Sequence, residues 1–297
     1  MHKSGFVNII GRPNVGKSTL MNTLTGERMS IITNKPQTTR HRIIGIVSED
    51  DYQIVFSDTP GFITDPAYKM QEAMNGFVFS TFEDADIMIF VTDTLEEYED
   101  DDQVIERLRK IEVPLFLVIN KIDLLKSPAE VLALIAKWNK RVKFTETIPI
   151  SALEKNNTDT LVKLVLDRLP EGPVYYPKDQ LTDKSERFFI SEIIRESILV
   201  LYKQEVPYSC EVIVDSFKET ETKRGEPMVR IRAEIYVSRK TQKSIIIGKQ
   251  GSAIKRLGTE ARRGIENFLQ KKVFLELFVK VKDGWRDDEQ SLKHFGY

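Results

Sequence analysis

The chain has 297 residues, 41% hydrophobic and 30% charged, with a formal net charge of −1 and a single cysteine, Cys210. That length favours two domains, and the composition describes a folded globular chain with apolar material for real cores. One cysteine excludes a disulfide framework and suits a reducing compartment. No apolar run approaches a membrane span and the start has no signal-peptide core, so a cytoplasmic protein is expected.

Phe6–Ile10 is a short apolar run that predicts a buried strand, and Ser18–Thr25 predicts a helix. Between them lies Gly11-Arg12-Pro13-Asn14-Val15-Gly16-Lys17-Ser18, followed by Thr19, which fits the phosphate-loop pattern G-x-x-x-x-G-K-[ST]. Consecutive backbone N–H groups at a helix N-terminus make a concave anion site. Lys17 is placed to reach the β- and γ-phosphates, and the Ser18 hydroxyl to ligate Mg²⁺.

Two strands are predicted next, Arg42–Val47 and Tyr52–Ser57, and then Asp58-Thr59-Pro60-Gly61. Parallel sheets bind ligands at the carboxyl ends of their strands. Asp58 there suits the Mg²⁺ hydration shell, and the Gly61 N–H suits the γ-phosphate. Further along, helices at Lys69–Phe82, Asp102–Lys110, Ala129–Asn139 and Thr158–Leu169 alternate with strands at Ile87–Thr92, Pro114–Asn120 and Glu146–Ile150. Runs such as Leu115–Ile119 look buried on both faces, as in a parallel sheet covered by helices. Asn120-Lys121-Ile122-Asp123 closes one of these strands. The Asp123 carboxylate can accept from both N1–H and N2–H₂ of guanine, a pair of donors that adenine lacks. The Lys121 stem can cover the base plane, and Ser151-Ala152-Leu153 suits a backbone donor to guanine O6.

Pro170–Pro177 cannot continue a helix and reads as part of a linker. The expected division is 1–170, a linker at 171–184, and 185–297. Beyond the linker, a helix (Glu186–Gln204), two strands (Ser209–Phe217 and Met228–Tyr236) joined by a turn at Lys223-Arg-Gly225, a G-x-x-G loop between helical segments, and a last strand (Val273–Val281) give an α-β-β-α-α-β order. The loop is Ile247-Gly248-Lys249-Gln250-Gly251, with Lys255 and Arg256 just beyond. Two glycines let a nucleic-acid backbone approach closely, and flanking helices and strand supply an apolar groove. Charge supports this. Residues 1–178 carry 21 Lys/Arg against 26 Asp/Glu, whereas 179–297 carry 23 against 19. From Arg239 to Lys272 there are ten Lys/Arg and two Glu. Trp138 and Trp285 read as packing residues.

The four nucleotide motifs, in this order and at these strand ends, resemble a translation-factor-like GTPase over the first 170 or so residues. The second half resembles a type II KH domain. Together they resemble the Era family of bacterial GTPases, which Pro36-Gln-Thr-Thr-Arg-His-Arg42 and Gly284–Leu292 also match. The resemblance implies an α/β fold: a P-loop GTPase domain with a mostly parallel six-stranded sheet, then a smaller α+β type II KH domain. It implies GTP and GDP as ligands, Mg²⁺ as cofactor, binding near the 3′ end of 16S rRNA, and a role in maturing the 30S subunit. Peripheral association with the inner membrane is also implied, and a monomer is expected. In that family Lys35–Arg40 resembles the first switch, with Thr39 as the Mg²⁺-ligating hydroxyl and Thr38 as the other choice. Phe62 stands where Ras-type enzymes carry a water-orienting glutamine. Hydrolysis then either awaits a partner or draws charge from K⁺ held by Asn14, as similar GTPases do. The catalytic candidates are Asn14, Lys17, Thr39 and Gly61. The rival reading is an RNA-binding protein whose nucleotide domain is purely structural. GTPases of tRNA modification or iron uptake would need a different appended domain or membrane spans.

Overall fold

The computed structural model describes residues 2–99, 102–222 and 224–297. Within it the chain divides into two compact units, Met1–Ala67 with Gln71–Asp183, and Tyr68–Met70 with Lys184–Tyr297.

The first unit runs β1 (Lys3–Ile10), α1 (Lys17–Thr25), β2 (Ile43–Ser48), β3 (Tyr52–Asp58), α2 (Lys69–Ser80), β4 (Ile87–Thr92), α3 (Gln103–Leu108), β5 (Leu115–Ile119), α4 (Pro128–Asn139), β6 (Glu146–Pro149) and α5 (Thr158–Arg168). The six strands form one sheet in the order β2-β3-β1-β4-β5-β6. Only β2 runs antiparallel, against β3. Every residue of β4 and of β5 is buried, which explains their unbroken apolar runs. Trp138 of α4 closes one side of the core, edge-on to Phe90 and Tyr98 at 5.2 and 5.3 Å. Phe62 lies in the same core, with its ring centroid 5.6 Å from that of Phe79.

The segment after α5 is not a free tether. The Gly172 amide donates to His2 O, and the Ser4 amide donates to Pro170 O. Gln53 accepts from the amides of Tyr175 and Tyr176 and donates to Tyr176 O. The Ile46 amide donates to Leu181 O at 2.8 Å, and Thr182 Oγ1 donates to Ile44 O at 2.7 Å. The last two bonds occupy backbone groups on the outer edge of β2, which would otherwise be unpaired.

The second unit runs α6 (Glu186–Leu201), β7 (Cys210–Glu221), β8 (Pro227–Val237), α7 (Lys240–Ile247), α8 (Ser252–Leu269), β9 (Lys272–Val281) and α9 (Glu289–Phe295). Its sheet has the order β7-β8-β9, with β7/β8 antiparallel and β8/β9 parallel. The α-β-β-α-α-β order is therefore present, with α9 added. Asp288 caps α9 by accepting from the Ser291 amide, and the buried Trp285 donates its indole N–H to Ser209 O. Helix α6 ends earlier than Gln204: Tyr202 turns extended and donates its hydroxyl to Ile246 O at 2.9 Å. Lys223 of the expected turn lies outside the described residues. No described helix is long and apolar enough to cross a membrane.

Candidate functional site

The loops that follow β1, β3, β5 and β6 meet at one end of the first sheet, around a cavity of about 510 Å³. Its volume lies in the range of small-molecule pockets. Pro13, Asn14, Gly16, Lys17, Ser18, Thr19, Thr39, Gly61, Asn120, Lys121, Asp123, Ser151 and Leu153 line it. The structure thus brings together residues from all four predicted motifs and from the loop before β2. The other predicted residues support it from outside. Val15 is buried in the core, Thr59 Oγ1 donates to Ile9 O, and the Pro60 ring is buried. The Phe62 side chain points into the core, and only its amide turns back, toward Gly11 O at 3.4 Å.

Asn120 holds three of the motifs in register. Its Nδ2 donates to Val15 O at 2.9 Å and its Oδ1 accepts from the Ala152 amide at 2.9 Å, both buried. Gly16 makes this approach possible, since a Cβ there would lie 2.2 Å from Asn120 Nδ2 and its φ is +98°. Lys121 reaches across the loop, donating to Asn14 O at 2.7 Å and to Asp93 Oδ2 at 2.6 Å. Arg12 turns outward. It pairs with Glu96 and Asp102 and stacks over Tyr98, 4.0 Å from the ring centroid. Sequence reasoning missed Asp93 and the clamp of Glu96 and Tyr98, because no motif marks them. It also missed the wall formed by residues 31–34, whereas Lys35 and Gln37, expected in the first switch, line the same wall.

The oxygens expected at a metal converge. Ser18 Oγ lies 2.7 Å from Asp58 Oδ2 and 2.8 Å from Thr39 Oγ1. Thr38 instead pairs with Thr33 and donates to Lys35 O. Asp58 is fully buried, burial pushes its carboxyl up, and its Oδ1 has no hydrogen-bond partner among the described residues. A buried carboxylate oxygen without a partner, beside two hydroxyls, suits a hydrated hard cation. Lys17 donates to Gly11 O and Arg12 O, closing the loop on itself. Burial lowers its ammonium to about 8, against the opposing pull of Asp58. That value leaves the ammonium mostly charged at neutral pH, so it can pair with an anion in the cavity. Asn14 is exposed with φ +65°, on the cavity wall, and Asp123 is exposed at its mouth.

The second unit carries a groove of about 390 Å³ between α8 and β9, lined by Ile254, Lys255, Gly258, Thr259, Arg262, Val273, Phe274, Leu275 and Leu277. At its end α7 turns into α8 through residues 248–251. Gly248 (φ +72°) lets the loop fold tightly, because a Cβ would meet Ala253 Cβ at 2.6 Å. Lys249 and Gln250 stand exposed at the loop tip, Arg256 is exposed on α8, and Ile247 packs on the core. Of the expected RNA-contacting residues, Lys255 lines the groove, and β9 supplies the expected strand wall, while Thr259 and Arg262 are additional.

A phosphate loop, a guanine-type recognition loop and a buried oxygen cluster on this sheet define a P-loop GTPase, and it carries an appended KH fold. Comparison agrees. Residues 6–121 match the family model for a 50S ribosome-binding GTPase, and residues 205–286 match that for a KH domain. The chloroplastic GTPase ERA-like of Oryza sativa subsp. japonica is 46% identical over 299 residues, covering 100% of this chain and 70% of that protein. A crystal structure of Era with MgGDPNP and nucleotides 1506–1542 of 16S ribosomal RNA superposes with a TM-score of 0.93 at 39% identity, over 100% of this chain and 99% of that one. A single-residue variant of Aquifex aeolicus Era bound to GDP.AlF4⁻ gives 0.92 at 39% identity, with 99% of each chain covered. The chain belongs to the Era family of GTPases.

Proposed function

We propose that this GTPase is a nucleotide-controlled RNA-binding switch that acts on the 3′ end of small-subunit ribosomal RNA during 30S maturation. The observation that carries the reading is one chain holding both the cavity with its Ser18, Thr39 and Asp58 cluster and the basic groove beside the 248–251 loop. An Era structure 39% identical to this chain holds MgGDPNP and a 16S fragment together, and that supports the same pair of ligands here. The family resemblance adds a monomeric state and peripheral membrane contact as expectations.

Ser18, Thr39 and, through water, Asp58 would hold Mg²⁺, which would supply charge neutralisation at the phosphates. Lys17 and the amides of residues 14–19 cradle the phosphates, and the Gly61 amide faces the γ-phosphate. Asp123 accepts the guanine N1–H and N2–H₂, while the Lys121 stem lies along the base plane. The amides of Ser151 and Ala152 already serve Asn156 and Asn120, which leaves Leu153 as the candidate donor to guanine O6. Since the Phe62 ring is committed to the core, it neither orients water nor supplies charge. Asn14 then becomes the candidate holder of K⁺ at the place an arginine finger would fill. Loss of the γ-phosphate releases the loop at Thr39 and so changes how the KH unit holds RNA.

Single-turnover GTP hydrolysis in KCl and in NaCl, with and without an rRNA 3′-end oligonucleotide, tests this. Turnover stimulated by K⁺ and altered by RNA is expected. No turnover under any condition would favour a structural nucleotide domain.

A further inference from the structure

The C-terminal sheet has two unlike faces. Along β8, Val229, Ile231, Ala233, Ile235 and Val237 are all fully buried in the core with α6, α7 and α8. The alternate residues Arg230 and Arg232 point the other way and are exposed. Beside them on β9, Phe274 and Phe278 remain 47% and 41% exposed, although nothing in the KH core requires aromatic rings there.

The cations on this face lie over the rings. The Arg232 guanidinium sits 4.4 Å from the Phe278 centroid, and that of Arg230 sits 5.2 Å from Phe274. Both are also tethered, Arg232 to Asp215 at 3.4 Å and Arg230 to Glu276 at 3.0 Å. Lys218 stands opposite Arg230 across the β7/β8 ladder and is exposed. Helix α9 covers only one end: the Phe295 ring lies 5.1 Å from Tyr236, and the Tyr297 hydroxyl donates to Glu211. What remains open is an alternation of aromatic rings and guanidinium planes. Bases stack on both kinds of surface, and phosphates pair with the cations.

The platform also adjoins the groove. Phe274 belongs to both, lining the groove from the edge strand β9 while Arg230 lies over its ring. A KH loop clamps about four nucleotides, so a longer strand must continue beyond it.

We propose that the open face of the β7-β8-β9 sheet is a second single-stranded RNA subsite. A strand leaving the groove crosses the β9 edge, stacks a base on Phe278 and Arg232, and places phosphates near Lys218 and Arg230. The proposal rests on the groove itself binding RNA. The full chain should therefore be titrated with two oligonucleotides from the rRNA 3′ end, four and twelve nucleotides long. Phe278→Ala should weaken the twelve-mer about tenfold, leave the four-mer within about twofold, and be rescued by Phe278→Trp. Equal effects on both lengths, or none on the twelve-mer, overturn the subsite. So does self-association of the chain that Phe278→Ala abolishes without touching twelve-mer affinity. If the wild-type chain binds neither oligonucleotide, the RNA-binding reading fails first.

Discussion

Single side chains at the nucleotide cavity carry separable tasks. Asp123 is exposed and, among the described residues, takes no part in the hydrogen bonds that shape the loops, so its replacement should spare the fold. Asp123→Asn should lower GTP affinity by about 100-fold or more, because a site built to pair with two donors is left mismatched. The same variant should gain affinity for xanthosine triphosphate, whose C2 carbonyl accepts from the new amide. Competition of both nucleotides against a fluorescent analogue checks this. Asn14 presents a different case. Its backbone oxygen is held by Lys121, while its side chain lies exposed at the cavity wall. Asn14→Ala should remove the K⁺ stimulation of turnover while changing GTP affinity less. Turnover that stays equally K⁺-dependent in the variant would remove Asn14 from the mechanism.

At the scale of elements, Asn120 is the stitch between the loops after β1, β5 and β6. Asn120→Ala leaves the Val15 carbonyl and the Ala152 amide unpaired in a buried setting, at a cost of about 2 kcal/mol. The melting temperature of the nucleotide-free protein should fall by about 4–8 °C, and GTP should recover part of that. The sheet of the KH unit offers a pH test. Lys280 and then Tyr236 hold the Glu234 carboxyl below its usual range of about 4.5. A lowered carboxyl stabilises the fold at neutral pH and loses that contribution as pH falls through its folded value. Lys280→Met should thus lower the urea midpoint at pH 7, with the gap to wild type narrowing below about pH 4.5. These elements also show what the sequence makes legible. Strands β4 and β5 are readable because burial on both faces leaves an unbroken apolar run. Lys17, Ser18, Asp58 and Asp123 are readable because phosphate and guanine chemistry fixes their types and spacing. The cavity wall at residues 31–34 and the pair of Asp93 and Lys121 are not, because tertiary closure assigns those roles to residues of ordinary local pattern. Helix α9 hides for a similar reason, since its buried face needs Trp285 and Tyr236 to be visible as a surface.

Over the whole molecule the charges are divided, with 21 Lys/Arg against 26 Asp/Glu in residues 1–178 and 23 against 19 in 179–297. Binding of a polyanion to the second unit should be strongly salt-dependent. Lys249→Ala at the exposed loop tip should flatten the slope of log affinity against log salt by about 0.7, the value for one single-strand phosphate contact. RNA titrations between about 50 and 200 mM KCl cover the range in which such contacts weaken. One further consequence concerns how the protein can be taken apart. The stretch 171–183 looks like dispensable connection, yet Leu181 and Thr182 occupy the outer edge of β2 at Ile46 and Ile44, and residues 175–176 pair with the Gln53 side chain. A fragment cut at Pro170 would keep every nucleotide motif and still expose a raw strand edge, inviting association between copies. One cut at Asp183 carries its own hem. Size-exclusion profiles of the two fragments should differ accordingly, so the place to part the halves is set by backbone pairing rather than by the last helix.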